Sequence, residues 1–168
     1  MDIAAIEILI LDVDGVLTDG GLRYGAEGET GKTFFVQDGW AIKEWQACGG
    51  KTAIITGRGG EALRRRAADL GIRMLHQGVA EKLAAYERVR DSVGCPDDRI
   101  AVVGDDHPDI APMRRCGFPI AVRNAVPAVK RAAAYVTRRA GGSGAIAEIV
   151  ELLLRKKGLW GCSAAIKV

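Results

Sequence analysis

The sequence is poor in the residues from which metal knots and disulfide frames are built. It holds two histidines and four cysteines in 168 residues, and none of Cys48, Cys95, Cys116 and Cys162 forms a C-x-x-C pair. Reduced thiols in a cytoplasmic protein are therefore expected. Charge of one sign is scarce too: 24 Lys+Arg against 21 Asp+Glu leaves a net +3, too little to call for nucleic acid and only a weak bias toward anionic ligands. No apolar run approaches the roughly 20 residues that span a bilayer. The opening Met1-Asp2-Ile3 lacks the charged-then-apolar pattern of a leader, so no membrane partner is expected. Linkers, internal repeats and low-complexity tracts are missing as well. With 48% hydrophobic and 27% charged residues the balance is globular. The length suits one domain over 1–168, large enough to bury roughly 70% of its unfolded surface.

What is present alternates. Residues 6–11 (IEILIL) form a short, nearly continuous apolar run, as expected of a central parallel strand covered on both faces. Similar runs recur at 52–56, 100–103, 119–122 and, more weakly, 134–136, with a short segment at 74–77. Helical patterns fill the intervals at 39–47, 61–70, 79–93, 108–116, 127–133 and 144–156. Pro127 suits a first helical turn, and Gly71 a helix stop. Strands alternating with helices predict an α/β sandwich around a mainly parallel sheet. One segment breaks the rhythm: 20–36 holds five glycines around two β-like stretches and reads as an inserted hairpin. Residues 161–168 carry little pattern and are expected to fray or to dock on a neighbour.

Ligands of open α/β sheets sit beyond the carboxyl ends of the strands. There the sequence carries Asp12-Val13-Asp14-Gly15, Thr56-Gly57-Arg58, and Gly104-Asp105-Asp106 followed by Asp109. Lys82 stands at the start of the helix after the 74–77 segment. Carboxylates that converge at a sheet edge repel one another, and a hard dication such as Mg2+, which takes oxygen ligands, relieves the repulsion. Asp12 can then attack phosphorus, with Asp14 as proton donor and acceptor. Thr56 and Lys82 can stabilise phosphoryl charge, and Gly15 permits the turn that returns Asp14 to the site. Each residue alone has a plainer reading. The aspartates of the first loop could be solvated turn formers, Thr56 a helix cap, and Lys82 an exposed helix lysine. Of Asp105 and Asp106, at least one is expected to be solvated or a cap. His107 reads as a loop histidine. Arg64, Arg65 and Arg66 cannot all face one site, because successive helix positions lie about 100° apart. Trp40 and Trp45 read as core or interface packing. The basic pairs at 130–131 and 138–139 and the run at 155–157 read as solvated faces and helix C-terminal charge.

Taken together, DVDGVLTDG, ITGR, the later lysine and GDDHPD resemble the four motifs of the haloacid dehalogenase superfamily, in order, over residues 6 to 122. The segments QDGWAIK, HQGVAEKL, GDDHPDIAPM and YVTRRAGGSGAIAEI extend the resemblance to the 3-deoxy-D-manno-octulosonate 8-phosphate phosphatases over nearly the whole chain. The resemblance implies a Rossmann-like three-layer α/β sandwich with an inserted hairpin and no cap domain. It further implies homotetramers in which hairpins associate and one subunit closes the neighbour's site. Its residue roles are Asp12 as nucleophile, Asp14 as acid/base, and Mg2+ on Asp12, the Asp14 carbonyl and Asp105. Thr56, Gly57 and Arg58 would face the phosphoryl group or substrate, with Lys82 as the compensating cation. Asp109 and Asp106 would stand behind the metal ligands, and Arg66 would reach a substrate carboxylate.

The chain departs from the family in two places. It has Gln37 where VRDG is common, and Ser143 where the final GG-x-GA motif often carries arginine. A phosphorylated acidic sugar is the expected substrate, with another sugar phosphate as alternative. Two further classes are conceivable: a non-catalytic accessory subunit of a carboxylase-type complex, and a receiver-like signalling domain. The second would not need Asp14.

Overall fold

The computed structural model describes residues 2–161. The apolar segments form six parallel strands. β1 (Ile8–Leu11) follows a short 3-10 turn and is buried along its whole length. The chain then leaves the sheet for a hairpin, β2 (Arg23–Gly25) and β3 (Gly28–Gly31), before α1 (Val36–Ala47) returns it to β4 (Lys51–Ile55). α2 (Glu61–Asp69) leads to β5 (Met74–His76), and α3 (Lys82–Val93) to β6 (Ile100–Gly104). α4 (Ile110–Arg115), β7 (Phe118–Ala121), α5 (Pro127–Ala132), β8 (Tyr135–Val136) and α6 (Ala145–Lys156) complete the alternation.

The strand order is β5-β4-β1-β6-β7-β8, and every pairing in this sheet is parallel. β1 therefore lies inside the sheet between β4 and β6, where both faces must be apolar. The chain first winds outward to β5 and then crosses back to β6. That reversal opens a crevice at the carboxyl ends of β1, β4 and β6, where α/β proteins bind ligands. Helices cover both faces. α1 packs against α6, and Gln46 on α1 donates to Leu70 O at 3.0 Å beside α2. α3, α4 and α5 contact one another on the opposite face. Trp45 is buried, and its indole N–H donates to Lys51 O at 2.8 Å, so α1 is pinned to the start of β4.

The elements agree with the expected alternation, and the boundaries differ for local reasons. α1 begins at Val36 instead of residue 39. Gly39 is no helix breaker here: a Cβ on it would come within 2.1 Å of the Arg66 guanidinium, so glycine lets α2 approach. α3 begins at Lys82, three residues late, because Gly78 has φ 66° and Val79 N–H donates to Thr56 O, which holds that stretch extended. The hairpin is antiparallel and most of it is exposed, while residue 36, expected to close it, belongs to α1. Between β1 and α1 this hairpin is the sole insertion, and no second folded unit interrupts the described residues. No helix among them is long and apolar enough to cross a membrane. Of the segment expected to fray or dock, residues 162–168 lie outside those described.

Candidate active site

The loop after β1 is shaped from within and braced from outside. Thr18 Oγ1 accepts from Gly15 N–H and Gly20 N–H and donates to Val13 O, which folds residues 13–20 into a compact turn. Gly15 has φ 95°, and a Cβ on it would lie 2.0 Å from Asp105 Oδ2, so glycine is required both for the backbone and for the approach of Asp105. Asn124 donates to Gly15 O at 2.9 Å and accepts from Gly141 N–H at 2.7 Å. Gly141 is so close that a Cβ would meet Gly15 O at 1.8 Å. The glycine-rich segment before α6 thus serves as a backstop for the first loop, which its position in the sequence does not reveal.

Within the crevice Asp12, Asp105 and Asp109 each bring a carboxylate oxygen to within 4.8 Å of the others. Lys82 sits among them, with Nζ 2.7 Å from Asp12 Oδ1 and 2.7 Å from Asp109 Oδ1. Burial, then the neighbouring Asp109 charge, push the Asp12 carboxyl from 3.8 up to about 6 against the pull of Lys82. Burial and the charges of Asp12 and Asp109 push Asp105 further, to about 8. Burial alone would lower Lys82; the two carboxylates outweigh it and hold the ammonium charged. Three carboxylates around one ammonium are short of positive charge, which raises the affinity of Asp105 for a proton or for a further cation.

The oxygens are not equivalent. Asp109 spends Oδ1 on Lys82 and Oδ2 on the backbone N–H groups of Asp105 and Asp106, at 3.0 and 3.2 Å. Asp105 Oδ1 is buried with no hydrogen-bond partner. Such an oxygen is costly unless something fills its lone pairs. A hard divalent cation against Asp12 and Asp105 fits this set, with Asp109 behind, holding Lys82 and the Asp105 backbone.

The crevice of about 340 Å3 is also lined by Asp14, Thr56, Gly57 and Arg58. Thr56 is buried and does not cap α2, whose N-cap is Gly60. Its Oγ1 accepts from Arg58 N–H at 3.3 Å. Asp106 lines the rim, but its carboxylate caps the next turn by accepting from His107 N–H at 2.8 Å. It contributes to the site through its N–H on Asp109. His107 is exposed and, instead of lying in a loop, opens a short 3-10 turn (His107–Asp109) with its ring beside Asp106. Arg66 stands apart, with its guanidinium 5.8 Å from the Phe34 ring centroid, and does not line the crevice within this chain. Gln37 also lies elsewhere, accepting from the Arg139 guanidinium at 3.2 Å in a larger hollow between α1 and α6. Sequence reasoning missed Lys32, whose ammonium reaches Asp14 from the hairpin, and Asn124; neither follows a motif, and a lone lysine after a glycine turn gives no signal.

Comparisons with known proteins agree with this geometry. A model of haloacid dehalogenase-like hydrolases matches residues 71–150. The 3-deoxy-D-manno-octulosonate 8-phosphate phosphatase of Escherichia coli is 42% identical over 153 residues, covering 91% of this chain and 81% of the relative. The chain belongs to this family of haloacid dehalogenase-like phosphatases. Among solved structures, the Moraxella catarrhalis phosphatase of the same name, in complex with magnesium ion, phosphate ion and KDO, superimposes with a TM-score of 0.92 at 37% identity. That match covers 96% of this chain and 92% of the other. The cobalt-bound Haemophilus influenzae enzyme gives 0.94 at 37% identity, covering 98% and 97%. The family's parallel sheet, flanking helices and inserted hairpin are those described above.

Proposed function

We propose that this phosphatase hydrolyses 3-deoxy-D-manno-octulosonate 8-phosphate, or a closely related acidic sugar phosphate, through an aspartyl-phosphate on Asp12. The observation that carries the reading is the gathering of Asp12, Asp105 and Asp109 around one lysine, with an unpartnered Asp105 oxygen facing inward. Mg2+ would be held by Asp12, Asp105 and the Asp14 carbonyl; when bound it neutralises the phosphoryl oxygens that an anionic nucleophile must approach. Asp12 attacks phosphorus. Asp14 protonates the departing alkoxide and later takes a proton from the water that cleaves the aspartyl-phosphate. Thr56 donates its hydroxyl hydrogen to a phosphoryl oxygen, and the Gly57-Arg58 backbone shapes the pocket around it. Lys82, oriented by Asp109, offsets the charge that builds on the phosphoryl group.

Release of phosphate from an aryl phosphate, with and without Mg2+, tests the chemistry. Wild-type turnover should require the metal, and Asp12→Asn should lose at least about 10^3-fold. Retention of activity in that variant would remove the nucleophile. Failure on a broad panel of phosphate esters would favour the accessory-subunit reading. Gln37 and Ser143 are the observations that favour a second substrate, another sugar phosphate, and comparing phosphorylated sugar acids separates the two.

The site is completed in a homotetramer. Support comes from the hairpin, since an isolated two-stranded ribbon is marginal in water and this one exposes Tyr24 at 66%, with Leu22, Val36 and Trp40 nearby in sequence and also exposed. Arg66, outside its own crevice, would then serve a neighbouring one. Light scattering at micromolar concentration should give four chains; a monomer would refute the shared site.

A further inference from the structure

The hairpin holds one residue that its exposure does not explain. Lys32, just past β3, has a side chain only 4% exposed, although most of the ribbon before it is open to solvent. Its ammonium lies 2.5 Å from Asp14 Oδ1 and 3.2 Å from Glu29 Oε1. The other oxygen of Asp14, Oδ2, is buried and has no hydrogen-bond partner. A lysine is withdrawn from water at a cost and needs compensating partners; here the compensation falls on the carboxylate proposed above as acid and base.

We propose that Lys32 is a positioning residue for Asp14: its buried ammonium holds the Asp14 carboxylate in place for proton transfer. This rests on the acid/base role of Asp14 in the proposed function. An ammonium has three donors and no acceptor, so an oxygen that faces it accepts and does not present a proton in that direction. When the Asp12–phosphorus bond forms and the bond from phosphorus to the sugar oxygen breaks, a proton passes from the Asp14 carboxyl to the departing alkoxide. Asp14 is left as a carboxylate beside the Lys32 ammonium. In the second half, water attacks phosphorus, its proton returns to Asp14, and the bond from Asp12 to phosphorus breaks. Glu29, on the hairpin, also pairs with the ammonium at 3.2 Å and helps to hold it. The hairpin thereby acts on the chemistry of its own chain, in addition to any part in association.

The effect is readable from the leaving group. A nitrophenolate departs as a stabilised anion with little need of a proton, whereas an alkoxide needs one. kcat/KM reports the steps up to phosphoryl transfer onto Asp12, so it is measured with p-nitrophenyl phosphate and with 3-deoxy-D-manno-octulosonate 8-phosphate for wild type, Lys32→Met and Lys32→Arg. Lys32→Met should lower the alkyl-to-aryl ratio of kcat/KM by about tenfold or more, within the range of about 10^2 to 10^4 that general acid catalysis supplies. Lys32→Arg, which keeps a charged donor, should restore part of the ratio. A structural role alone would lower both substrates together and leave the ratio at the wild-type value; that outcome overturns the assignment. If Lys32→Met does not fold, as judged by circular dichroism, Lys32→Gln is read in its place, and an unchanged ratio there overturns it equally. Absence of Mg2+-dependent turnover in wild type would defeat the proposed function and this inference together, while turnover with an unaltered ratio defeats the inference alone.

Discussion

Replacing Lys82 by methionine tests the charge arrangement directly. Lys82 is 8% exposed and bridges Asp12 and Asp109 at 2.7 Å each, with Asp105 close by. Methionine keeps most of the volume and removes the cation, so Asp12 and Asp109 lose the ammonium that pairs with both of them. Stripping one partner from a buried ion pair costs about 3–5 kcal/mol. For a domain of this size each kcal/mol shifts Tm by about 2–4 °C, so the variant in EDTA should melt about 6–20 °C below wild type. Two conditions should shrink the loss. Asp12 and Asp105 already hold protons more tightly than usual, so the deficit should be smaller at pH 6 than at pH 8.5. Mg2+ at about 100 times its Kd should return about 2.7 kcal/mol to a variant that still binds it, read against wild type in EDTA. Adding Asp109→Asn removes one stranded charge, so the double variant should be less damaged than the sum of the single ones, by about 1–3 kcal/mol. Thermal unfolding by circular dichroism, with and without EDTA, reads all of these. A Tm within 2 °C of wild type in EDTA, or strict additivity with Asp109→Asn, would refute the reasoning.

The same electrostatics fix a pH dependence. The folded carboxyls of Asp12 and Asp105 stand at about 6 and about 8, above the ordinary 3.8, so the folded chain binds protons more tightly than the unfolded one. Their effect on stability is most favourable below about pH 4 and is lost as pH rises through 6 and 8. In EDTA the site should therefore make Tm fall between pH 5 and 8.5, and Mg2+, replacing the protons, should flatten that slope; a slope unmoved by metal would contradict it. Gly141→Ala places a Cβ 1.8 Å from Gly15 O, and the atoms it meets are backbone of Gly15 and Val16, so one of the two segments must shift. A misplacement of about 1 Å costs about 10^2-fold in rate, so kcat should drop on that scale while the fold persists; a rate near wild type would show that the loop has slack.

The alternation of apolar runs with helical patterns settled the α/β class, because a strand buried on both faces must be apolar throughout and a covering helix must not. The aspartates, Thr56 and Lys82 were legible because each stands where a strand ends or a helix begins, and chain order keeps such positions fixed. Strand ends, however, carry no distances. That β1 lies between β4 and β6, and so brings Asp12 to Asp105, follows from the crossover after β5 and from long-range pairing. Tertiary structure alone decided which carboxylates meet, that Asp106 turns outward to cap while Asp109 turns inward to Lys82, and that Gly39 serves packing between helices. It also decided the placing of Lys32, Asn124 and Gly141, which reach the first loop from 17 to 126 positions away, counted between Gly15 and residues 32 and 141. Side-chain type and local periodicity are properties of neighbours along the chain; the field at a buried oxygen is set by neighbours in space, which only the closed sheet assembles.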